Sequence, residues 1–248
     1  MAIDLNAIRK KLNNLQTQTG KQNNLWKPEP GKQTIRIVPY QYNKDNPFQE
    51  LYFHYNLGKK IYLSPVTFGK ADPVVEFCEQ LKATGNKEDW QMARKMEPKM
   101  RCYVPVIVRG QESEGVKFWG FGKTVYQELL SIIADPDYGD ITDIMNGRDV
   151  TVEFTAAEGA GSYPKTSIRV KPNTSQATDN RDVASRIAEG QKEITEIFKE
   201  VSYDDLKQAL SDWLDPADEQ AQAPEVAPAS NVNKVDDVNQ AFDDLFKN

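Results

Sequence analysis

Met100-Arg101-Cys102-Tyr103-Val104-Pro105-Val106-Ile107-Val108-Arg109-Gly110, with Val116-Lys117-Phe118-Trp119-Gly120-Phe121 just beyond it, is the stretch that decides the fold. Both runs are rich in β-branched and aromatic residues and bounded by glycine, the pattern of two short strands. In the first, Cys102, Val104, Val106 and Val108 alternate with Arg101, Tyr103, Ile107 and Arg109, so an apolar face backs a face that mixes cation with aromatic. In the second, Lys117, Trp119 and Phe121 share a face in the same manner.

Outward from this pair, Thr34–Pro39, Leu51–Leu57, Lys59–Ser64, Asp149–Thr155 and Thr166–Lys171 have the same character. On the last of these runs Lys165, Ser167, Arg169 and Lys171 line up on one side. So many short strands argue for a barrel or a sandwich. Two helical patterns interrupt them: one within Pro73–Met96, broken around Gly85-Asn86, and one over Lys123–Ala134, where Val125, Leu129, Ile132 and Ile133 form an apolar face. Helices inserted between the strands of a small barrel are the layout of an OB-fold with an enlarged connection. The expected fold is therefore mainly β: an OB-fold barrel over residues 21–172 with an inserted helical subdomain at about 59–99.

The ends read differently. Asp4 can cap a helix whose Leu5, Ile8, Leu12 and Leu15 draw one stripe ending near Gly20, with Arg9, Lys10 and Lys11 beside it. So short a helix needs a partner surface. Residues 173–181 read as a polar linker, and Glu189–Glu200 and Tyr203–Leu214 as amphipathic helices completing the segment 173–214. Residues 215–248 form an acidic tail whose Pro216–Val232 run is too poor in apolar residues to fold. At its end Val235, Val238, Phe242 and Leu245 share a helical face among acids, the pattern of a docking peptide.

Charge is unevenly laid out. The tail holds eight acids against Lys234 and Lys247, which is −6 and equals the net charge of the whole chain. Residues 1–123 carry +8 and residues 124–214 carry −8. A cationic front on the same chain as an acidic tail suits a polyanion with a built-in competitor. Apolar content is 39% and mean hydropathy −0.66, and no run approaches a membrane span or a signal core, so a cytoplasmic protein is expected. Cys78 and Cys102 are too few for a disulfide framework and read as buried thiols.

Catalytic motifs fail on inspection. Gly120-Phe121-Gly122-Lys123-Thr124 resembles the end of a phosphate loop, but Lys117 stands where its first glycine belongs. Asp135, Asp137, Asp140 and Asp143 lack the closing glutamate of a calcium loop, and Pro136 sits among them. His54, the sole histidine, has no Ser or Cys in a nucleophile motif. A non-enzymatic protein is expected. Cations interleaved with flat side chains suit single-stranded nucleic acid, because cations neutralise phosphates while aromatics stack unpaired bases. The competing reading makes Trp119 and Tyr103 ordinary core aromatics and the cations a solvated face.

Several segments together resemble the T-even-type bacteriophage single-stranded DNA-binding protein family. They are Trp26-Lys27, Ile35-Arg36-Ile37-Val38-Pro39, Asn46-Pro47-Phe48, His54 with Gly58-Lys59-Lys60, Tyr103 through Val108, and Trp119 through Lys123, in the expected order over residues 20–172. The resemblance implies an OB-fold core that binds single-stranded DNA without sequence preference, and a basic N-terminal segment that links neighbouring protomers cooperatively. It also implies an acidic C-terminus that recruits replication, recombination and repair proteins, here through Phe242 and Leu245. The same resemblance carries over Lys99, Arg101, Tyr103 and Trp119 as DNA-binding residues, and the cationic strand faces add Lys117, Arg169 and Lys171, with Lys123 at the end of the matching run. Arg9, Lys10 and Lys11 carry self-association, although Leu12-Asn13 replaces the Ser-Thr that follows them in the family. The setting implied is the cytoplasm of an infected bacterium.

Better-known members of that family hold zinc through one histidine and three cysteines. Here His54 stands at the histidine position, Ser64 is near the first cysteine, and Asp72-Pro73-Val74-Val75 replaces Cys-Pro-Val-Cys. Structural zinc wants four N or S ligands, so no metal or other cofactor is expected, with Phe68, Val74, Phe77 and Leu81 packing in its stead. The alternatives to DNA coating are an OB-fold scaffold for proteins and an RNA-binding module using the same surface.

Overall fold

The computed structural model describes residues 24–214 except 59 and 160, together with Leu245. The helix expected near residues 4–20, with Arg9, Lys10 and Lys11, lies outside the described residues, as does Phe242. The described residues divide into two compact units, one within residues 24–49 and 102–193 and one within residues 50–101 and 194–214 with Leu245. No helix among the described residues is long and apolar enough to cross a membrane.

The first unit is built on strands β1 (Leu25–Trp26), β2 (Gly31–Ile37), β5 (Lys99–Val108, from Cys102 onward), β6 (Lys117–Phe121), β7 (Arg148–Thr155) and β8 (Lys165–Thr174). Their order is β1-β6-β5-β2-β7-β8. β1 runs parallel to β6, with Trp26 opposite Trp119, and the other neighbours along this path are antiparallel. The sheet is thus mixed, and its path has two ends, β1 and β8, so the described strands do not close into the barrel expected from the sequence.

One face of this sheet carries an aromatic chain. Trp26 meets Trp119 at 5.8 Å between ring centroids, Trp119 meets Phe121 at 4.5 Å, and Phe48 meets both Phe121 and Tyr126. Tyr126, Val125 and Leu129 come from α3 (Lys123–Ala134), which packs against β8. A second buried cluster joins Ile107 to Val38, Ala177, Val183 and Ile187. Val183 and Ile187 belong to α4 (Arg181–Glu189), so β5 is covered on both faces and every residue from Cys102 to Val108 is buried. The two-sided alternation read from the sequence is corrected here, because a later helix covers the face that pattern alone would leave exposed.

The segment read as a linker is fixed in place. Arg36, fully buried, donates from Nη1 to the Ser175 carbonyl at 2.9 Å and from Nη2 to Ser175 Oγ at 2.6 Å. Arg109 donates to the carbonyls of Gln176 and Ala177, each at 2.7 Å. Both guanidinium groups share Asp149 Oδ1, the closest approaches being 2.9 Å for Arg36 and 2.8 Å for Arg109. Burial lowers the pKa of Arg36, and the Asp149 carboxylate opposes that shift. α4 then begins where Asn180 Oδ1 accepts from Val183 N. The helix expected over Glu189–Glu200 is replaced by the end of α4, the Gly190-Gln191 break, and the single turn α5 (Ile194–Ile197).

The second unit pairs the hairpin β3 (Gln49–Leu57) and β4 (Lys60–Leu63) with α1 (Pro73–Ala83), α2 (Lys87–Met96) and α6 (Tyr203–Leu214). Asp72 caps α1 by accepting from Val74 N and Val75 N, with Pro73 in the first turn, and Asn86 caps α2. Between them Gly85 adopts φ +74°, a left-handed turn that ends one helix and lets the next begin. Val74, Phe77, Cys78 and Leu81 of α1 form one core with Ala93, Met96, Leu206 and Leu210.

Candidate nucleic-acid interface

Trp119 is 1% exposed and Tyr103 9% exposed. The first is held inside the aromatic chain. The second lies over its cross-strand partner Gly120, where an added Cβ would come within 2.5 Å of the Tyr103 ring. Both rings are therefore covered in this arrangement. Lys117 is half-buried and ion-paired with Glu114. It lines a pocket of about 320 Å³ with Trp26, Lys27, Glu29 and Gln33, in which acids offset the cations.

Other expected residues of the first unit do face solvent. Lys123 is exposed in the first turn of α3. Arg169 and Lys171 are exposed on β8, alternating with half-buried Ile168 and buried Val170, and Lys165 and Ser167 share their side. Arg169 also lines a hollow of about 240 Å³ with Lys32, Thr151, Glu153, Ser167 and Ile168. The exposed aromatics of this unit are Tyr42, at 51%, and Tyr163, at 88%. Tyr163 lies two residues before the start of β8.

Lys99 and Arg101 stand in the second unit, at the start of β5. Lys99 is exposed, and its Nζ donates to the Arg94 carbonyl at 2.7 Å. Arg101 is half-buried; burial pushes the Tyr55 phenol's pKa up, and the Arg101 charge partly offsets the rise. Tyr55, at 38%, and Trp90, at 45%, are exposed aromatics of this unit. Arg94 lies over the Trp90 ring, 5.0 Å from its centroid. Sequence reading passed over Trp90 because α2 was read only for its break. Its spacing of four from Arg94, off the Ala93–Met96 side, is the signal that marks it. Leu245, expected to dock a partner, is half-buried against the helical core of this unit.

The positions matched to zinc ligands hold a different chemistry. His54 is fully buried, with Nδ1 2.9 Å from the Met96 carbonyl and Nε2 2.9 Å from Asp72 Oδ2. Ser64 Oγ donates to the same Asp72 oxygen, while Oδ1 accepts from Val74 N and Val75 N at 2.9 and 3.2 Å. Burial would raise the Asp72 pKa, but the hydrogen bonds and charge of His54, with Ser64 and Val75, outweigh it and the net shift is downward. Cys78 Sγ donates to the Ala93 carbonyl, and burial pushes its pKa to about 12, so the thiolate a metal needs is disfavoured. Val75 offers no donor atom. These side chains do not fit a zinc ion, since the oxygens and nitrogens are already committed to one another.

A family model described as gp32 DNA binding protein like matches residues 29–213. No curated protein matches the chain. Lys99, Arg101, Tyr103, Lys117, Trp119, Lys123, Arg169 and Lys171 fall inside the matched span; Arg9, Lys10, Lys11, Phe242 and Leu245 fall outside it.

Proposed function

Because the chain belongs to the gp32-like DNA-binding protein family, we propose that it is a non-enzymatic protein that coats single-stranded DNA without sequence preference. The family match over residues 29–213 is the observation that carries this reading. Support for the chemistry comes from exposed Lys123, Arg169 and Lys171, with Tyr163 close by in sequence, as phosphate and base contacts. In this reading the mixed sheet is an OB-type scaffold with a helical insertion.

Further parts of the proposal rest on the sequence. Arg9, Lys10 and Lys11 link neighbouring protomers along the strand, and the acidic tail competes for the cationic surface until DNA displaces it. The tail then offers Phe242 and Leu245 to replication, recombination and repair proteins in a phage-infected bacterial cytoplasm. The His54–Asp72–Ser64 hydrogen bonds support a protein that needs no zinc.

Competition between strands tests the central part. Labelled oligo-dT bound to the full chain should be displaced by unlabelled single strands of mixed sequence far better than by the matching duplex. Equal displacement by the duplex, or no binding of oligo-dT, contradicts the proposal.

A further inference from the structure

The buried core of α1, α2 and α6 in the second unit is rimmed by side chains that it covers only in part. Tyr62, Met92, Val201, Trp213 and Leu214 are half-buried and pack against that core. They come from β4, α2, α6 and the segment just before α6, so the rim is assembled from pieces distant in sequence. Tyr203 Oη donates to Glu76 at 2.6 Å, which pins the start of α6 to α1. Leu206 and Leu210 are then fully buried in the shared core, and Trp213 and Leu214 fall at its margin. Leu245 packs against this same core.

Residues 215–244 separate Leu245 from the end of α6, and they hold eight acids against Lys234. Asp243 and Asp244 stand directly before Leu245, and a core excludes charges that it cannot pair. Leu245 is therefore an anchor at the end of an acidic segment rather than part of an element folded into the unit. Leu214 and Leu245 rest on one core at either end of that segment. The rim suits such an anchor, because a methionine adapts its shape and an indole offers a wide apolar face. A tether raises the local concentration of its end to roughly the millimolar range, so a contact too weak for a free peptide is filled within the chain. Apolar contact is also indifferent to the salt that screens attraction between exposed charges.

We infer that Met92, Trp213 and Leu214, with Tyr62 and Val201, form a seat for the C-terminal segment of the same molecule, which is held there through Leu245. The seat is filled by apolar contact on the second unit, not by charge. The segment assigned above to partner proteins is therefore masked at rest, and a partner that takes Leu245 displaces it from the rim. For the partners alone this rests on the proposed function; the seat itself does not depend on DNA binding.

The test uses the full chain with Asn248→Cys carrying a nitroxide. Cys78 and Cys102 are buried, so the label goes to the introduced thiol. The expected result is broadening of the Trp213 indole and Met92 methyl signals in NMR spectra, unchanged by dilution and by salt of about 1 M. Adding Leu245→Asp should remove the broadening and speed amide exchange over residues 242–246 at least about tenfold, and Leu245→Ala should act in the same direction. Broadening that vanishes at high salt places the segment on cations and overturns the seat. Broadening that fades on dilution gives the contact to a neighbouring molecule and overturns the intramolecular seat. Broadening that survives Leu245→Asp removes Leu245 as the anchor and overturns it as well. Failure of oligo-dT to bind in the competition assay would contradict the proposed function and leave the seat standing.

Discussion

Asp72 accepts four hydrogen bonds, from His54, Ser64 and two backbone amides. The two groups facing the His54 ring nitrogens are the Met96 carbonyl and the Asp72 carboxylate. Because the folded pKa of Asp72 lies below its ordinary value of 3.8, its ionised form stabilises the fold. That contribution is full above about pH 4 and is lost as the pH falls through the folded value. Asp72→Asn should therefore lower the unfolding temperature markedly at neutral pH, and the gap to wild type should narrow as the pH drops below about 4. Thermal unfolding followed across pH checks this; a gap that stays constant to low pH contradicts it. Histidine, serine and aspartate at ligand-like spacings were legible in the sequence. Their mutual hydrogen bonding was not, because it depends on the Met96 carbonyl at the far end of another helix.

Helices α1, α2 and α3 were readable because local chemistry sets their ends. Asp72 with Pro73 starts one, Gly85 with Asn86 separates two, and Ala134 ends the third before Asp135-Pro136. β1 was not readable, since two residues carry no periodicity and Leu25–Trp26 becomes a strand only beside β6. Nor was the burial of Tyr103 and Trp119, which alternation cannot decide when helices remote in sequence cover the sheet. The 173–181 stretch was read as a linker from its polarity. Its carbonyls instead satisfy two arginines that converge on Asp149. Breaking a buried pair from one side leaves an uncompensated charge, which costs about 3–5 kcal/mol. Asp149→Ala should therefore destabilise the chain by about that amount in urea unfolding, far more than the change expected for exposed Lys171→Ala. A loss below about 1 kcal/mol contradicts a clamp that depends on this carboxylate.

At the scale of the molecule, the net charge of −6 conceals a cationic segment over residues 1–123 and an acidic tail over residues 215–248. A binder of phosphates need not be basic overall if its cations are gathered on the contact surface. Within the first unit, Lys123, Arg169 and Lys171 are exposed cations of this kind. The family-level identity was readable in the sequence, because the order of several short segments survives even where each is weak. Which aromatics solvent reaches was not, because exposure is a property of packing. The affinity of the full chain for oligo-dT as a function of salt tests the account most directly. Each phosphate neutralised contributes about −0.7 to the slope of log affinity against log salt, so several contacts should give a straight line steeper than about −2. A flat line, or no affinity at any salt, would contradict it.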